Sequence, residues 1–270
     1  MLPINLYLVR HGRSESNFAY EVSCVGNGDR LAGKFAKQHT ADSRLVGIGR
    51  EQAVAAGNWF IKNEVTIDCC YVSEYVRALE TAAMLGLPNA KWFVDPQLRE
   101  RDYGLLEHVP DAVCRQQYPR YFELEAQNKF YTACPGGESM ADVCNRIRNN
   151  ILSTLHREMA DKSSALIVCH GNIIEGFRVI LERIPARVYN ELKRDGAKWF
   201  EIGNGQIVHY TRRNPKDARN VLPYMGWVRS FNPYDPDYAG HDWREIKRKT
   251  YTNEELLEIV NRYPQLINNE

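Results

Sequence analysis

A chain of 270 residues that is 44% hydrophobic is long enough for one large α/β core with embellishments, and a formal charge of +1 excludes a global field that would recruit nucleic acid or an anionic membrane. Seven cysteines (Cys24, Cys69, Cys70, Cys114, Cys134, Cys144, Cys169) form no C-x-x-C pair, are odd in number and include one adjacent pair, which indicates neither a disulfide framework nor a zinc site and fits a reducing cytoplasm. The N-terminus has no charged region ahead of its short apolar stretch and no window approaches a membrane span, so the expected setting is soluble and cytoplasmic, with no membrane and no nucleic-acid partner.

In chain order, Ile4 to Val9 reads as a buried strand that delivers Arg10-His11-Gly12 to its end, where α/β sheets carry chemistry. A polar stretch from Ser14 to Arg44 looks like an insertion over the strand ends, followed by a helix from Gly49 to Lys62 with Ala53, Ala56, Trp59 and Phe60 on one side. A strand from Asp68 to Val72 leads into Ser73-Glu74-Tyr75-Val76-Arg77, which puts Arg77 near the start of the helix carrying Ala78, Thr81, Ala82 and Leu85. Lys91 to Val94 is a short strand, and the loop Leu98 to Gly104 places Glu100 beyond it. Leu105 to Cys134, helical and aromatic without a strand, reads as a lid that closes at Pro135-Gly136-Gly137-Glu138-Ser139. Met140 to Met159 has helical periodicity at Val143, Ile147, Ile151 and Leu155, and precedes the strand Ala165 to Cys169, which ends at His170-Gly171-Asn172 and a helix from Ile173 to Leu181. Lys198 to Ile202 and Gln206 to Tyr210, joined through Gly203-Asn204-Gly205, suggest an antiparallel edge hairpin. The expected fold is a three-layer α/β domain: a mostly parallel central sheet flanked by helices, with that hairpin and a helical lid. Residues 1–210 form the catalytic domain, with lid insertions at about 18–45 and 105–138, and 211–270 form a C-terminal extension packed on the same domain, ending in a helix near Thr252 to Tyr263.

Four motifs then stand in order: Arg10-His11-Gly12 with Ser14 and Asn17; Ser73-x-Tyr75-x-Arg77-Ala78-x-Glu80-Thr81; Leu98-x-Glu100-x-x-Tyr103-Gly104; and His170-Gly171. Together they resemble the histidine phosphatase superfamily, in its phosphoglycerate mutase-like branch, over roughly residues 4 to 210. The resemblance implies His11 as nucleophile, Arg10, Arg77 and His170 as a phosphate pocket and Glu100 as proton donor.

The chemistry supports the same assignment without the family. A phosphate monoester repels an anionic nucleophile, so a neutral imidazole whose other nitrogen is held by a hydrogen bond is a sensible attacking group. Arg10 and Arg77 can orient the phosphoryl oxygens through forked hydrogen bonds, each pair contributing on the order of 4 kcal/mol at about 4 Å before desolvation is subtracted. Glu100, its pKa raised in a crowded site, can protonate the leaving alkoxide and later deprotonate the attacking water. Gly12, Asn17, Tyr103, Gly171 and Asn172 are further substrate contacts, although Asn17 and Asn172 could equally be turn residues and Tyr103 could simply pack under the lid. No metal or other cofactor is required.

Plainer explanations apply to other features. Gly28 to Lys34 has the outline of a phosphate-binding P-loop, but Phe35 stands where Ser or Thr must meet magnesium. Cys169 precedes His170, but Glu175 occupies the position where a cysteine phosphatase needs arginine, so Cys169 is a small buried strand residue. Arg212, Arg213, Lys216 and Arg219 read as a solvated basic run. Arg30, Lys34, Lys37, His39 and Arg44 could reach a second anionic group on a substrate or merely solvate a loop. The expected function is hydrolysis of a small-molecule phosphate ester through phosphohistidine. The alternatives are a 2,3-bisphosphoglycerate-dependent mutase, which needs extra cations where the lid offers only Arg115 and then Arg120, and an idle phosphate-binding scaffold. The oligomeric state is open.

Overall fold

The computed structural model describes residues 1–24, 37–159, 163–235, 237–238, 242–247 and 249–267. Its elements run β1 (Asn5–Arg10), α1 (Glu15–Cys24), α2 (Gly47–Lys62), β2 (Cys69–Val72), α3 (Val76–Met84), β3 (Trp92–Val94), α4 (Asp111–Gln117), α5 (Pro119–Gln127), α6 (Met140–Arg146), α7 (Ser153–Glu158), β4 (Ser164–Cys169), α8 (Gly171–Leu181), α9 (Ala186–Arg194), β5 (Ile207–Thr211), β6 (Arg213–Asn214), β7 (Asp217–Val221), β8 (Trp227–Phe231), β9 (Arg244–Glu245) and α10 (Asn253–Val260).

Among the described residues the central sheet has the order β3-β2-β4-β1-β5-β8-β9, and β6-β7 form a separate two-stranded sheet. The pairs β3-β2, β2-β4 and β4-β1 are parallel, while β5 runs antiparallel to both β1 and β8, so most strands point one way. Buried on both faces, β2 and β4 are continuous apolar runs, as parallel strands covered by helices must be. Alternation along β1 feeds two cores. Leu6 and Leu8 pack with Val143, Ile147, Ile173 and Phe177 on one side, whereas Tyr7 and Val9 pack with Ala56, Phe60, Ala78 and Ala82 on the other. Those two clusters are the interfaces of a three-layer α/β fold.

Three features depart from the sequence reading. Lys198 to Ile202 is not a strand. Phe200 and Ile202 are buried, but in successive turns after α9, with Phe200 N–H donating to the Ala197 carbonyl at 2.8 Å and Glu201 N–H to that of Lys198 at 3.2 Å. Two apolar positions spaced two apart imitated strand alternation, and the antiparallel partners of β5 are instead β1 and β8. The polar stretch after Ser14 opens with α1, whose helical character its polar composition concealed; Gly28 to Lys34, including Arg30, lies outside the described residues. The long helix before β4 starts at a Ser139/Asp142 capping box but passes through a π-helical stretch at Ile147–Leu152 between α6 and α7. The residues after 210 supply β8 and β9 to the central sheet.

The turn after β1 is fixed by close backbone packing on α2. A Cβ on Gly12 would lie 2.0 Å from the Gly49 carbonyl oxygen, and one on Gly49 would lie 2.0 Å from the Arg13 carbonyl oxygen, which already accepts from Val46 N–H at 3.0 Å. Gly47, two residues earlier in the same helical turn, faces open space. Gly47→Ala is therefore expected to leave the denaturant midpoint unchanged or raise it slightly, through a propensity gain of at most about 1 kcal/mol. Gly49→Ala is expected to destabilise by about 3 kcal/mol, because backbone rather than a flexible side chain must move. Equal midpoints for the two variants in a urea titration would refute this packing account.

Candidate functional site

The C-terminal ends of β2, β4 and β1 lie side by side, so the residues that follow them converge. Val72, Val168 and Val9 stand in one row, and the ladder continues past the strands as Ser73 N–H donates to the Val168 carbonyl and His11 N–H to that of Cys169, both at 3.0 Å. This is the crevice in which open α/β sheets hold ligands. The first turns of α3 and α8 start here, with no side chain capping either helix, so their free N–H groups face the same region.

His11 is buried at the centre. Its Nδ1 lies 2.7 Å from the Gly12 carbonyl oxygen, which can only accept, and Arg77 Nε–H donates to its Nε2 at 3.2 Å. Both contacts specify a neutral ring with the proton on Nδ1 and the lone pair on Nε2. Burial pushes the His11 pKa well below the ordinary histidine value, and the Arg77 and Arg10 charges push it the same way, outweighing the Gly12 carbonyl. The His170 ring lies 5.0 Å from that of His11, edge to face, and its Nε2 meets the Ser73 hydroxyl at 2.8 Å. Ser73 also accepts from Tyr75 N–H, and its hydroxyl hydrogen remains free to be donated to His170 Nε2, the arrangement that puts the His170 proton on Nδ1. That Nδ1 is buried without a hydrogen-bond partner among the described residues, as is Arg10 Nε. Burial, then Arg77, depresses the His170 pKa as well.

The two guanidiniums are held by carbonyls rather than carboxylates. Arg77 donates one terminal nitrogen to the Thr40 carbonyl at 2.6 Å, and Arg10 donates one to that of Ile202. Burial pulls both below the ordinary arginine value, opposed chiefly by the charge of Glu100. Glu100 Oε1 accepts from Arg101 N–H at 2.9 Å. Burial raises the Glu100 pKa against the pull of that N–H and of Arg77 and Arg10.

Arg10, His11, Asn17, Arg77, Glu100, Tyr103 and Asn172 all line one cavity of 510 Å³. Asn17 Oδ1 accepts from Ser14 and from Asn204 Nδ2, which leaves its amino group for the cavity, and Asn172 Nδ2 donates to the Tyr103 hydroxyl at 2.8 Å. Three expected residues do not line it: His170 is fully buried with its ring against that of His11, Gly12 spends its N–H on the Thr81 hydroxyl at 3.0 Å, and Gly171 packs against the Arg10 guanidinium. Sequence reasoning missed Thr40, whose carbonyl holds Arg77, and Glu107. Glu107 lines the cavity, and burial raises its pKa. Arg44 pairs with Glu80 at 3.1 Å and His39 Nδ1 accepts from Ala41 N–H, so neither reaches the cavity through those groups. Among the described residues no group of three or more His, Cys, Asp or Glu side chains is placed to hold a metal, and no helix is long and apolar enough to cross a membrane.

The Glu100 loop is held from below by the Pro135-to-Ser139 segment. Glu138 accepts from Arg99 at 3.1 Å, from two nitrogens of Arg146 at 3.0 and 2.8 Å and from Asp102 N–H at 3.0 Å, while its own N–H donates to the Asp102 carbonyl at 2.8 Å. Gly104 and Gly137 permit the contact, since a Cβ on either would meet opposing backbone within 2.4 Å.

The chain is similar to 6-phosphofructo-2-kinase/fructose-2,6-bisphosphatase 1 of Mus musculus, with 29% identity over 172 residues that make up 64% of this chain and 31% of the relative; it thus spans under a third of that protein's length. It is also similar to the 2,3-bisphosphoglycerate-dependent phosphoglycerate mutase of Rhizobium etli, with 28% identity over 66% of this chain and 80% of the relative. Among solved structures, a mycobacterial glucosyl-3-phosphoglycerate phosphatase superposes with a TM-score of 0.61 at 22% identity, covering 89% of this chain and 96% of the other. The alpha-ribazole phosphatase of Shigella flexneri gives 0.61 at 20% identity, covering 82% and 95%. At those identities the structures speak for the fold. The family assignment comes from residues 6–210, from the second residue of β1 to the body of β5, which match the family model for branch 1: the chain belongs to the histidine phosphatase superfamily.

Proposed function

We propose that this chain is a phosphomonoesterase that hydrolyses a small phosphorylated metabolite through a phosphohistidine on His11. The observation that carries the reading is the neutral His11 ring, with its lone pair on Nε2, set between two guanidiniums that form no salt bridge with any described carboxylate. A phosphoryl group entering there takes hydrogen bonds from Arg10 Nε and His170 Nδ1, two buried nitrogens beside His11 that have no hydrogen-bond partner among the described residues, and draws Arg77 Nε–H away from His11. The freed Nε2 lone pair then bonds to phosphorus as the P–O ester bond breaks, and the departing alkoxide takes the Glu100 proton. In the second step Glu100 takes a proton from water, the water oxygen bonds to phosphorus, the N–P bond breaks and phosphate leaves.

The names of the relatives span both hydrolysis and phosphoryl isomerisation. Two features favour hydrolysis: Arg115 is bonded to Asp111 and Arg120 to Glu123, so the two arginines of the lid's first helices are not offered to a second phosphate. An idle scaffold has no physical need of both a nucleophile and a buried proton donor.

Replacing His11 with Ala is expected to cut phosphate release from an alkyl phosphate at least about a thousandfold. Glu100→Gln is expected to cost about 10²–10⁴-fold on the same ester but little on 4-nitrophenyl phosphate, whose leaving group needs no proton. Equal losses on both esters would remove Glu100 from the acid role. The pH profile follows from the two shifts. His11 must be unprotonated and its pKa is depressed well below the histidine range, so the enzyme's acid limb lies well under neutrality. Glu100 must be protonated and its pKa is raised, so activity falls as pH rises through that raised value. The profile of kcat for an alkyl ester should be a bell whose alkaline limb lies above the ordinary carboxylate range, and Glu100→Gln should abolish that limb. An alkaline limb unchanged in that variant would contradict the assignment.

A further inference from the structure

The cavity that holds His11 extends well past the space one phosphoryl group fills, and its 510 Å³ lies within the range of small-molecule sites. Its two halves differ in charge. The inner guanidiniums lack carboxylate partners, whereas three cations of the outer half are each neutralised where they stand. Arg115 Nε lies 2.7 Å from Asp111 Oδ2, Lys129 Nζ lies 2.8 Å from Glu125 Oε1, and Lys193 Nζ lies 2.8 Å from Glu175 Oε1. The fourth, Arg101, is buried in the wall, with Nε on the Glu138 carbonyl at 2.9 Å, a terminal nitrogen on the Cys134 sulfur at 3.0 Å and its face 5.2 Å from the Tyr103 ring centre. The hydroxyls of the outer wall are likewise used within the protein: that of Tyr189 donates to Glu175 at 3.1 Å, and that of Tyr121 meets the Cys134 sulfur at 3.4 Å. Ser16, Tyr20, Glu107 and His108 also line the cavity, and Glu107, a carboxyl whose pKa burial raises, offers no attraction to a second anion; the outer wall otherwise presents ring edges and faces and the side chains of Leu106 and Val109.

We infer that the outer half receives an uncharged leaving group with an apolar ring or planar face, so that the chain prefers monophosphates of neutral, ring-bearing alcohols and disfavours substrates with a second phosphate or a carboxylate. The inference rests on the reading of His11 as the phosphoryl acceptor. A second anion would be attracted by each of the three paired outer cations but repelled at nearly the same distance by the carboxylate bound to it, while Arg101 has its donors turned to the Glu138 carbonyl and the Cys134 sulfur, so the anion would lose its hydration for little net opposite charge. An apolar face loses nothing on entry and covers the wall side chains.

The test is a matched pair of esters that differ at the far end, phenyl phosphate and 4-carboxyphenyl phosphate, assayed on the full chain. The expected kcat/KM is at least about tenfold lower for the carboxylated ester. In the double variant Asp111→Asn, Glu125→Gln, which releases Arg115 and Lys129 from their partners on solvent-facing helices, the ratio between the two esters should narrow several-fold. A wild-type preference for the carboxylated ester, equal rates, or a ratio unmoved by the double variant would overturn the inference while leaving a phosphatase. Absence of phosphate release from both esters, or release that survives His11→Ala, would instead overturn the reading on which it rests.

Discussion

The hydrogen bond from Arg77 Nε–H to His11 Nε2 is the contact around which the rest of this molecule is arranged. A guanidinium cannot give up its proton at any ordinary pH, so an imidazole nitrogen that accepts from it must be unprotonated. The Gly12 carbonyl makes the complementary demand on Nδ1. Between them they fix the tautomer of a ring that burial already keeps neutral. The cost falls on the arginines. Buried cations are ordinarily paired, yet among the described residues Arg10 and Arg77 form no salt bridge and are held instead by the carbonyls of Ile202 and Thr40, which lie far from them in sequence. A carboxylate at either place would stabilise the empty fold more and would compete with any anion entering the cavity. Local disagreement of this kind, in a core otherwise well satisfied, is what a site selected for binding an anion looks like in energetic terms.

Carbonyl acceptors demand a precise backbone, and the scaffold supplies it by close approach. The turn that bears His11 is pressed onto α2 at a distance only glycine allows on both sides. The Glu100 loop has no strand or helix at that position to position it, and depends instead on Glu138, whose carboxylate gathers Arg99, Arg146 and the Asp102 N–H. The Arg146–Glu138 pair is nearly buried, with side-chain exposures of 6% and 16%, so it loses little to solvent screening compared with the pairs on the lid's outer face. A loop residue meant to exchange protons is thus carried on a rigid buried network, which is the usual way a mobile element is made reproducible.

What could be read from the sequence was whatever depended on local pattern. Apolar runs ending in Arg10-His11 and Cys169-His170 announce strand ends, and strand ends of a parallel sheet share one edge, so His11, His170 and Arg77 could be brought together before any contact was known. Depth was not legible. Nothing in His170-Gly171 says that the ring is fully buried against His11, because that depends on how β4 sits beside β1. Glu107 is indistinguishable in sequence from its solvated neighbours, and only the approach of Thr40 and Arg77 makes it a cavity residue. Phe200 and Ile202 misled for the opposite reason: their spacing imitates a strand, while their burial comes from tertiary packing that turns can satisfy as well as strands. The tail after Thr211 carries, besides the locally paired β6 and β7, the short strands β8 and β9, whose pairing joins residues well separated in sequence and is not encoded by local pattern.

That tail matters to the site although it is distant from it. The family match ends within β5, every residue of which is buried, and β5 is the direct neighbour of the strand that delivers His11. Left as an edge, β5 would expose a row of unpaired backbone groups on an apolar strand, an arrangement prone to slippage and self-association. Trp227–Phe231 closes that edge in antiparallel register. It also brings Arg229 over the rings of Trp59, Phe231 and Trp243 and within hydrogen-bond reach of His209, which stacks on Tyr7 of β1 at 3.9 Å. The register of β1 is thereby held from the side opposite β4. A shift of one residue along that strand would exchange Leu6 and Leu8 with Tyr7 and Val9 between the two cores and carry His11 away from Arg77, so the residues beyond the family match constrain the geometry of the residues within it.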